Sequence, residues 1–270
     1  MGRTWPALDA TGGDADLLLA AADDYSPTAV EERDTTLRIF FATSDIRDRA
    51  AKALASRFAL SPIDVDDEDW ARRSQRDLPA ITVGRVTVVT SLQSPVSGPD
   101  TIAIVIPPSM GFGTGHHSTT RLCLAALQAI DLHGQIVLDA GTGSGLLAIA
   151  ASKLGAAQAV GIDDDPDAIA AARENLDVNH VTNVEFVVGD LMTDPLPRAD
   201  VVVANLTGAM VIRAAARLVK ALRPGGVLIV SGVLATERDE VRGALANQRI
   251  VADVKEDNED EWLAFTIKSA

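Results

Sequence analysis

The apolar run "QIVLDA" ends in Asp139 and leads into glycines at 141, 143 and 145, after which "LLAIAASKLG" reads as a helix. Glycines in such a turn let the backbone approach a ligand that a Cβ would hold away. In an open α/β sheet the turn falls beyond the carboxyl ends of the strands, where ligands bind. The next acid at a strand end is Asp163 in "AVGIDDD". It follows Gly141 by about twenty residues, the spacing at which a carboxylate accepts both hydroxyls of a ribose. A dinucleotide fingerprint would require another glycine where the chain has Leu146, so no pyrophosphate cradle is expected and NAD is disfavoured. Asp190, closing "VVGD", is placed to accept from an adenine amino group, and reads equally well as a turn cap.

Two further constellations complete the set. "PPSMGFGTGHHSTTRLCLAAL" offers a loop with Gly111, Gly113 and Gly115, followed by Ser118, Thr119 and Thr120, any of which could cap the helix that begins there. Such a loop could fold over a sulfonium and its methionine part; a plain capped turn is the alternative. "VVVAN" places Asn205 at the end of a fourth strand, where an amide oxygen could accept from an attacking amine and orient it. Thr120, Asp139, Gly141, Gly143, Asp163, Asp190 and Asn205 together predict a pocket for S-adenosylmethionine, with Asn205 as the catalytic residue. Methyl transfer to an amine then needs alignment more than activation, and no general base is evident. The pair His116 and His117 suggests a metal, but adjacent side chains diverge and no matching Cys, Asp or Glu spacing supports one, so loop solvation or helix capping is the expected role and no metal is expected.

The elements that must hold these residues follow from the hydrophobic pattern. From "QIVLDA" onward, strands alternate with helices through "GVLIVSG" and a last helix near Glu237–Asn247, which predicts a doubly wound, mostly parallel sheet of the Rossmann-like α/β class. The segments "RIVADVKE" and "EWLAFTIK" around "DNED" predict an antiparallel hairpin on its edge. Ahead of this lies a small α+β module, expected over 36–94, with "TLRIFFAT" as a strand, a helix capped by Ser44, and two short strands around Gly84. Residues 1–35 read as a short helix or as disorder, and 95–270 as the catalytic domain. Hydrophobic residues make up 47% of the 270, enough for a sizeable core. A net charge of −14 argues against a direct nucleic-acid partner. Cys123 is the only cysteine, so no internal disulfide forms. With no apolar run of about 20 residues and no leader, a cytoplasmic protein without a membrane partner is expected.

Residues 106–232 resemble the PrmA family, lysine methyltransferases of large-subunit ribosomal protein eleven, through "GFGTGHHSTT", "VLDAGTGSGLLAIAASKLGA", "VGIDDDPDAIAAARENLDVN", "VVVANL" and "LRPGGVLIVSGVL"; the terminal "EWLAF" also matches. "DEDWARRSQRDLPAITVG" is similar to that family's link between its substrate and catalytic domains. The resemblance implies a class I methyltransferase fold, cofactor contacts at Thr120, Gly141, Asp163 and Asn205, and a degenerate ferredoxin-like N-terminal module that recognises the ribosomal protein. Departures fall at the lip of the site: His116-His117-Ser118 replaces the family's Thr-His-Pro, and Leu206-Thr207-Gly208 replaces Ile-Leu-Ala. The acceptor is therefore expected to be a protein amine, with a small-molecule amine or a non-catalytic cofactor-binding protein as the alternatives.

Overall fold

The computed structural model describes residues 4–11, 18, 21–22, 25, 27–33, 36–66, 80–91, 98, 100–107, 117–248 and 254–269. The chain forms two compact units, Met1–Asp77 and Leu78–Ala270.

In the first unit, strands β1 (Thr4–Thr11), β2 (Ala29–Arg33), β3 (Thr36–Phe40) and β4 (Leu60–Asp66) form an antiparallel sheet in the order β2-β3-β1-β4. Helix α1 (Ser44–Leu54) joins β3 to β4, and Leu8, Ile39, Phe41, Ala50 and Leu54 share one core. This is a ferredoxin-like strand order with all four strands present, not a degenerate one. Residues 4–11, in a stretch expected to be partly disordered, form a central strand instead, while Leu18, Ala21 and Ala22 are helical where a short helix was expected. Pro6 and Asp9 interrupt the alternation that marks a strand, yet each has a reason to be there. Pro6 pairs with Asp64 of β4 and lies past the last residue of β3, where its carbonyl accepts from the Phe41 amide at 2.9 Å. Asp9 takes two hydrogen bonds from the buried Arg38 of β3, at 2.5 and 2.6 Å. The cap of α1 is Thr43, one residue before the expected Ser44, with its hydroxyl accepting from the Ile46 amide.

The second unit opens with a three-stranded sheet of β5 (Ile81–Val83), β6 (Val86–Val89) and β7 (Ile102–Val105). The two strands around Gly84 thus form as expected but belong to this unit, and the expected boundary near residue 94 moves to Asp77–Leu78. Val86, Val88 and Ile104 explain the move, because they pack in one core with Leu124, Leu127 and Ile149 of the helices that follow.

Beyond them come α2 (Ser118–Gln128), β8 (Ile136–Ala140), α3 (Leu146–Lys153), β9 (Gln158–Asp163), α4 (Pro166–Val178), β10 (Val184–Val188), β11 (Ala199–Asn205), α5 (Gly208–Ala221), β12 (Leu222–Leu234), α6 (Arg238–Ala246), β13 (Val254–Glu259) and β14 (Trp262–Lys268). The seven strands β8 to β14 lie in the order β10-β9-β8-β11-β12-β14-β13; the first five run parallel, and β14 runs antiparallel to its two neighbours, β12 and β13. Both faces are covered, which is why the parallel strands read as unbroken Val/Ile/Leu runs. Val137, Val201 and Val203 face α2 to α4, while Leu138, Val202 and Ala204 face α5 and α6. The chain winds outward from β8 to β10 and then returns to the other side of β8 as β11. That reversal opens a crevice at the carboxyl ends of β8 and β11. Among the described residues no helix is long and apolar enough to cross a membrane.

Candidate active site

Asp139 sits at the end of β8 with no solvent exposure. Its Oδ2 accepts from the Thr142 hydroxyl at 2.6 Å and from the Ala148 amide at 3.1 Å, while the buried Oδ1 has no partner among the described residues. Helix α3 explains the second bond: it starts at Gly145 without a side-chain cap, and Asp139 satisfies one of its first free N–H groups. Burial pushes the Asp139 carboxyl up to about 7; the negative charge of Asp163 adds to the rise, and the Thr142 and Ala148 bonds oppose it. Burial likewise raises the thiol of Cys123, with the charge of Asp139 contributing.

The glycine turn is tied to the end of β9, with Gly141 and Thr142 amides donating to the Ile162 carbonyl at 2.8 and 3.0 Å. Gly141 and Gly143 both have left-handed backbones, with φ of 75° and 52°. A Cβ on Gly141 would overlap Leu206 Cδ2, a side-chain end that can shift, so it is the left-handed backbone that calls for glycine here. Asp163 leaves β9 with its carboxylate across the same turn. Oδ2 accepts from the Gly143 amide at 2.8 Å and Oδ1 from the Asp165 amide at 3.1 Å, and each oxygen keeps lone pairs for further donors.

Asp190 follows β10 and caps a local turn. Its oxygens accept from the Met192 amide at 2.6 Å and the Thr193 hydroxyl at 3.0 Å, and these bonds hold its carboxyl below the usual range. The turn-capping role is therefore visible, and an adenine amino group would have to use its remaining lone pairs. On the other side of the crevice, Asn205 Nδ2 donates to Thr120 Oγ1 at 3.2 Å, joining the end of β11 to the first turn of α2. Asn205 Oδ1 is left facing no donor among the described residues. The structure thus gathers the predicted residues into two groups, Asp139 with the glycine turn and Asp163, and Thr120 with Asn205. Leu206, stacked over Gly141, joins them.

The helix cap before Thr120 is His117, whose Nδ1 accepts from the Thr119 amide at 3.4 Å, so neither Ser118 nor Thr119 nor Thr120 serves as the cap. Gly111, Gly113, Gly115 and His116 lie outside the described residues. Several contributors were not singled out from sequence. Thr142 is buried and anchors Asp139, a role hinted at by a hydroxyl residue inside the glycine turn. Gly232 has φ of 85° and lets the Leu206 carbonyl pass where a Cβ would overlap it. Gly208 makes room for the Glu237 carboxylate. Both glycines serve contacts between distant segments, which no local pattern announces.

A doubly wound sheet with this strand order, a left-handed glycine turn after the first strand, and acids ending the first two strands define a class I S-adenosylmethionine-dependent methyltransferase. The buried, unpartnered oxygen of Asp139 and the left-handed glycine turn beside it fit such a cofactor. Comparison with known proteins agrees. The family described as ribosomal protein L11 methyltransferase (PrmA) matches residues 22–270. The chain is 37% identical over 251 residues to a ribosomal protein L11 methyltransferase of Deinococcus radiodurans, covering 89% of this chain and 90% of that one. It is 35% identical to the protein of the same name from Caldanaerobacter subterraneus, over 91% of this chain and 84% of the relative. A crystal structure of ribosomal protein L11 methylase from Lactobacillus delbrueckii superposes with a TM-score of 0.64 at 28% identity, covering 70% of this chain and 97% of that chain. The chain belongs to the ribosomal protein L11 methyltransferase (PrmA) family, and its cofactor is S-adenosylmethionine.

Proposed function

We propose that this methyltransferase modifies amino groups, lysine side chains or the N-terminus, of ribosomal protein L11, and does so in the cytoplasm where ribosomes are assembled. The family match over nearly the whole chain supports the acceptor. The observation that carries the chemistry is Asn205 at the carboxyl end of β11, its amide nitrogen committed to Thr120 and its oxygen left to receive an amine. Asp163 would accept the ribose hydroxyls and Asp190 the adenine amino group. The turn at Gly141 and Gly143 would pass beneath the ligand, and Thr120 would close the methionine side. Bound S-adenosylmethionine supplies an activated methyl group.

The residues of this chain supply alignment. Asn205 Oδ1 accepts an N–H of the incoming amine and turns its lone pair toward the crevice. Alignment of this kind is the main resource for a bimolecular transfer, and misplacement of about 1 Å costs on the order of 10²-fold. An ammonium entering the crevice leaves water, which lowers its pKa and favours loss of the proton to solvent. The four-stranded first unit would recognise the acceptor protein.

Transfer of labelled methyl from S-adenosylmethionine should place counts in purified ribosomal protein L11. Asn205→Ala should lower kcat by about 10²-fold while the cofactor Kd changes little. Label that enters only small molecules of a lysate, and never the protein, would contradict the acceptor assignment. Full turnover by a folded Asn205→Ala protein would remove its catalytic role.

A further inference from the structure

Thr120 reaches Asn205 from the first turn of α2, a turn with no acidic residue of its own, whose His117 cap meets the Thr119 amide at 3.4 Å and the Thr119 hydroxyl at 2.8 Å through Nδ1. The free N–H groups of a helix start make it the part most prone to fray. Here three residues of that turn are gripped from outside by the β13–β14 hairpin. The His117 ring meets Trp262 edge to face, with centroids 4.8 Å apart and planes at 68°. Ser118 Oγ donates to Asp260 Oδ2 at 3.1 Å. Arg121 donates to Glu259 Oε1 from Nε at 2.7 Å and to Ser118 Oγ from Nη2 at 2.9 Å. Asp260 begins the two-residue turn of the hairpin with φ of 54°, a conformation that an aspartate adopts at some cost. Ser118 and Thr120 are both buried, so the grip and the site residue lie within one closed turn of helix.

We infer that Glu259 and Asp260 are positioning residues of the active site, acting through Arg121 and Ser118 to fix the first turn of α2 and hence Thr120 against Asn205. The hairpin lies some 140 residues further along the chain, yet its tip sets where the methionine side of the cofactor is held. This inference rests on the reading of Thr120 and Asn205 as part of the cofactor site.

Two substitutions separate this role from simple stability. Asp260→Gly removes the acceptor but suits the left-handed backbone, so the hairpin should melt no earlier than before. Ser118→Pro stiffens the first helical position, where the N–H is free in any case, and His117 at φ −74° and ψ 139° already has the extended backbone that precedes a proline. By calorimetric titration with S-adenosylhomocysteine, Asp260→Gly and Arg121→Ala should each weaken binding about fivefold, the effect of one hydrogen bond. Adding Ser118→Pro to Asp260→Gly should recover most of that loss. Wild-type affinity in both single variants would overturn the inference, as would a loss in Asp260→Gly that Ser118→Pro leaves unchanged. A wild-type protein that takes up no ligand would instead bring down the cofactor reading beneath it.

Discussion

At Asp139 one carboxylate answers two demands. It closes a helix that starts without a cap, and it does so fully buried, which lifts its carboxyl to about 7. In the unfolded chain an aspartate titrates near pH ~4. Between these values the native state binds more protons than the unfolded one, so this group makes stability fall as pH rises from about 4 to about 7 and adds no slope above that. The fall is on the order of a few kcal/mol at most. Asp139→Asn keeps the acceptor for Thr142 and Ala148 and carries no charge, so its urea midpoints at pH 5 and pH 8 should lie closer together than those of the wild type. An unchanged pH difference would show that Asp139 does not titrate as described. Asp139, Gly141, Gly143 and Asp163 were legible in the sequence because their spacing along β8, the turn and β9 is local. The cap at His117 was legible only as one candidate among several, since a histidine and the hydroxyl residues after it compete for the same position. Leu206 over Gly141 was also illegible, because that contact joins residues far apart in sequence.

Elements were legible where their periodicity was strong and hidden where function or pairing broke it. The order of βα units from β8 to β12 and the antiparallel terminal hairpin could be read from apolar runs and turns. Strand β1 could not, because Asp9 makes sense only with the buried Arg38 opposite it. Strand β4 was masked by Ser61, Pro62 and Asp64. Helix α4 has a start that can be tested. Asp165 accepts from the Asp167 amide at 2.9 Å and Pro166 takes the first helical position. Asp165→Ala should destabilise the protein by about 1 kcal/mol in chemical denaturation. A shift below about 0.3 kcal/mol would mean that Pro166 alone fixes the start.

For the whole molecule, the division into units depended on a segment that sequence placed on the wrong side. The polar stretch from Ser91 to Asp100 looks like a linker, but β6 before it and β7 after it pair in parallel, so it is a connection inside the second unit. The charge of −14 acts at this scale too. A surface of that sign draws a cationic acceptor inward, and salt screens the attraction over about 10 Å at 0.1 M. Raising the salt from about 50 to about 300 mM should therefore lower kcat/KM for the protein acceptor several-fold and leave kcat nearly constant; insensitivity to salt would remove steering from the account. The most direct test concerns the crevice itself. Titrating S-adenosylmethionine into the protein in a calorimeter should show one site per chain, weakened by about 10- to 100-fold in Asp163→Ala as the ribose hydroxyls lose a charged acceptor. A wild-type protein that gives no binding heat, or a folded Asp163→Ala protein that binds just as tightly, would contradict the placement of the cofactor at the ends of β8 and β9.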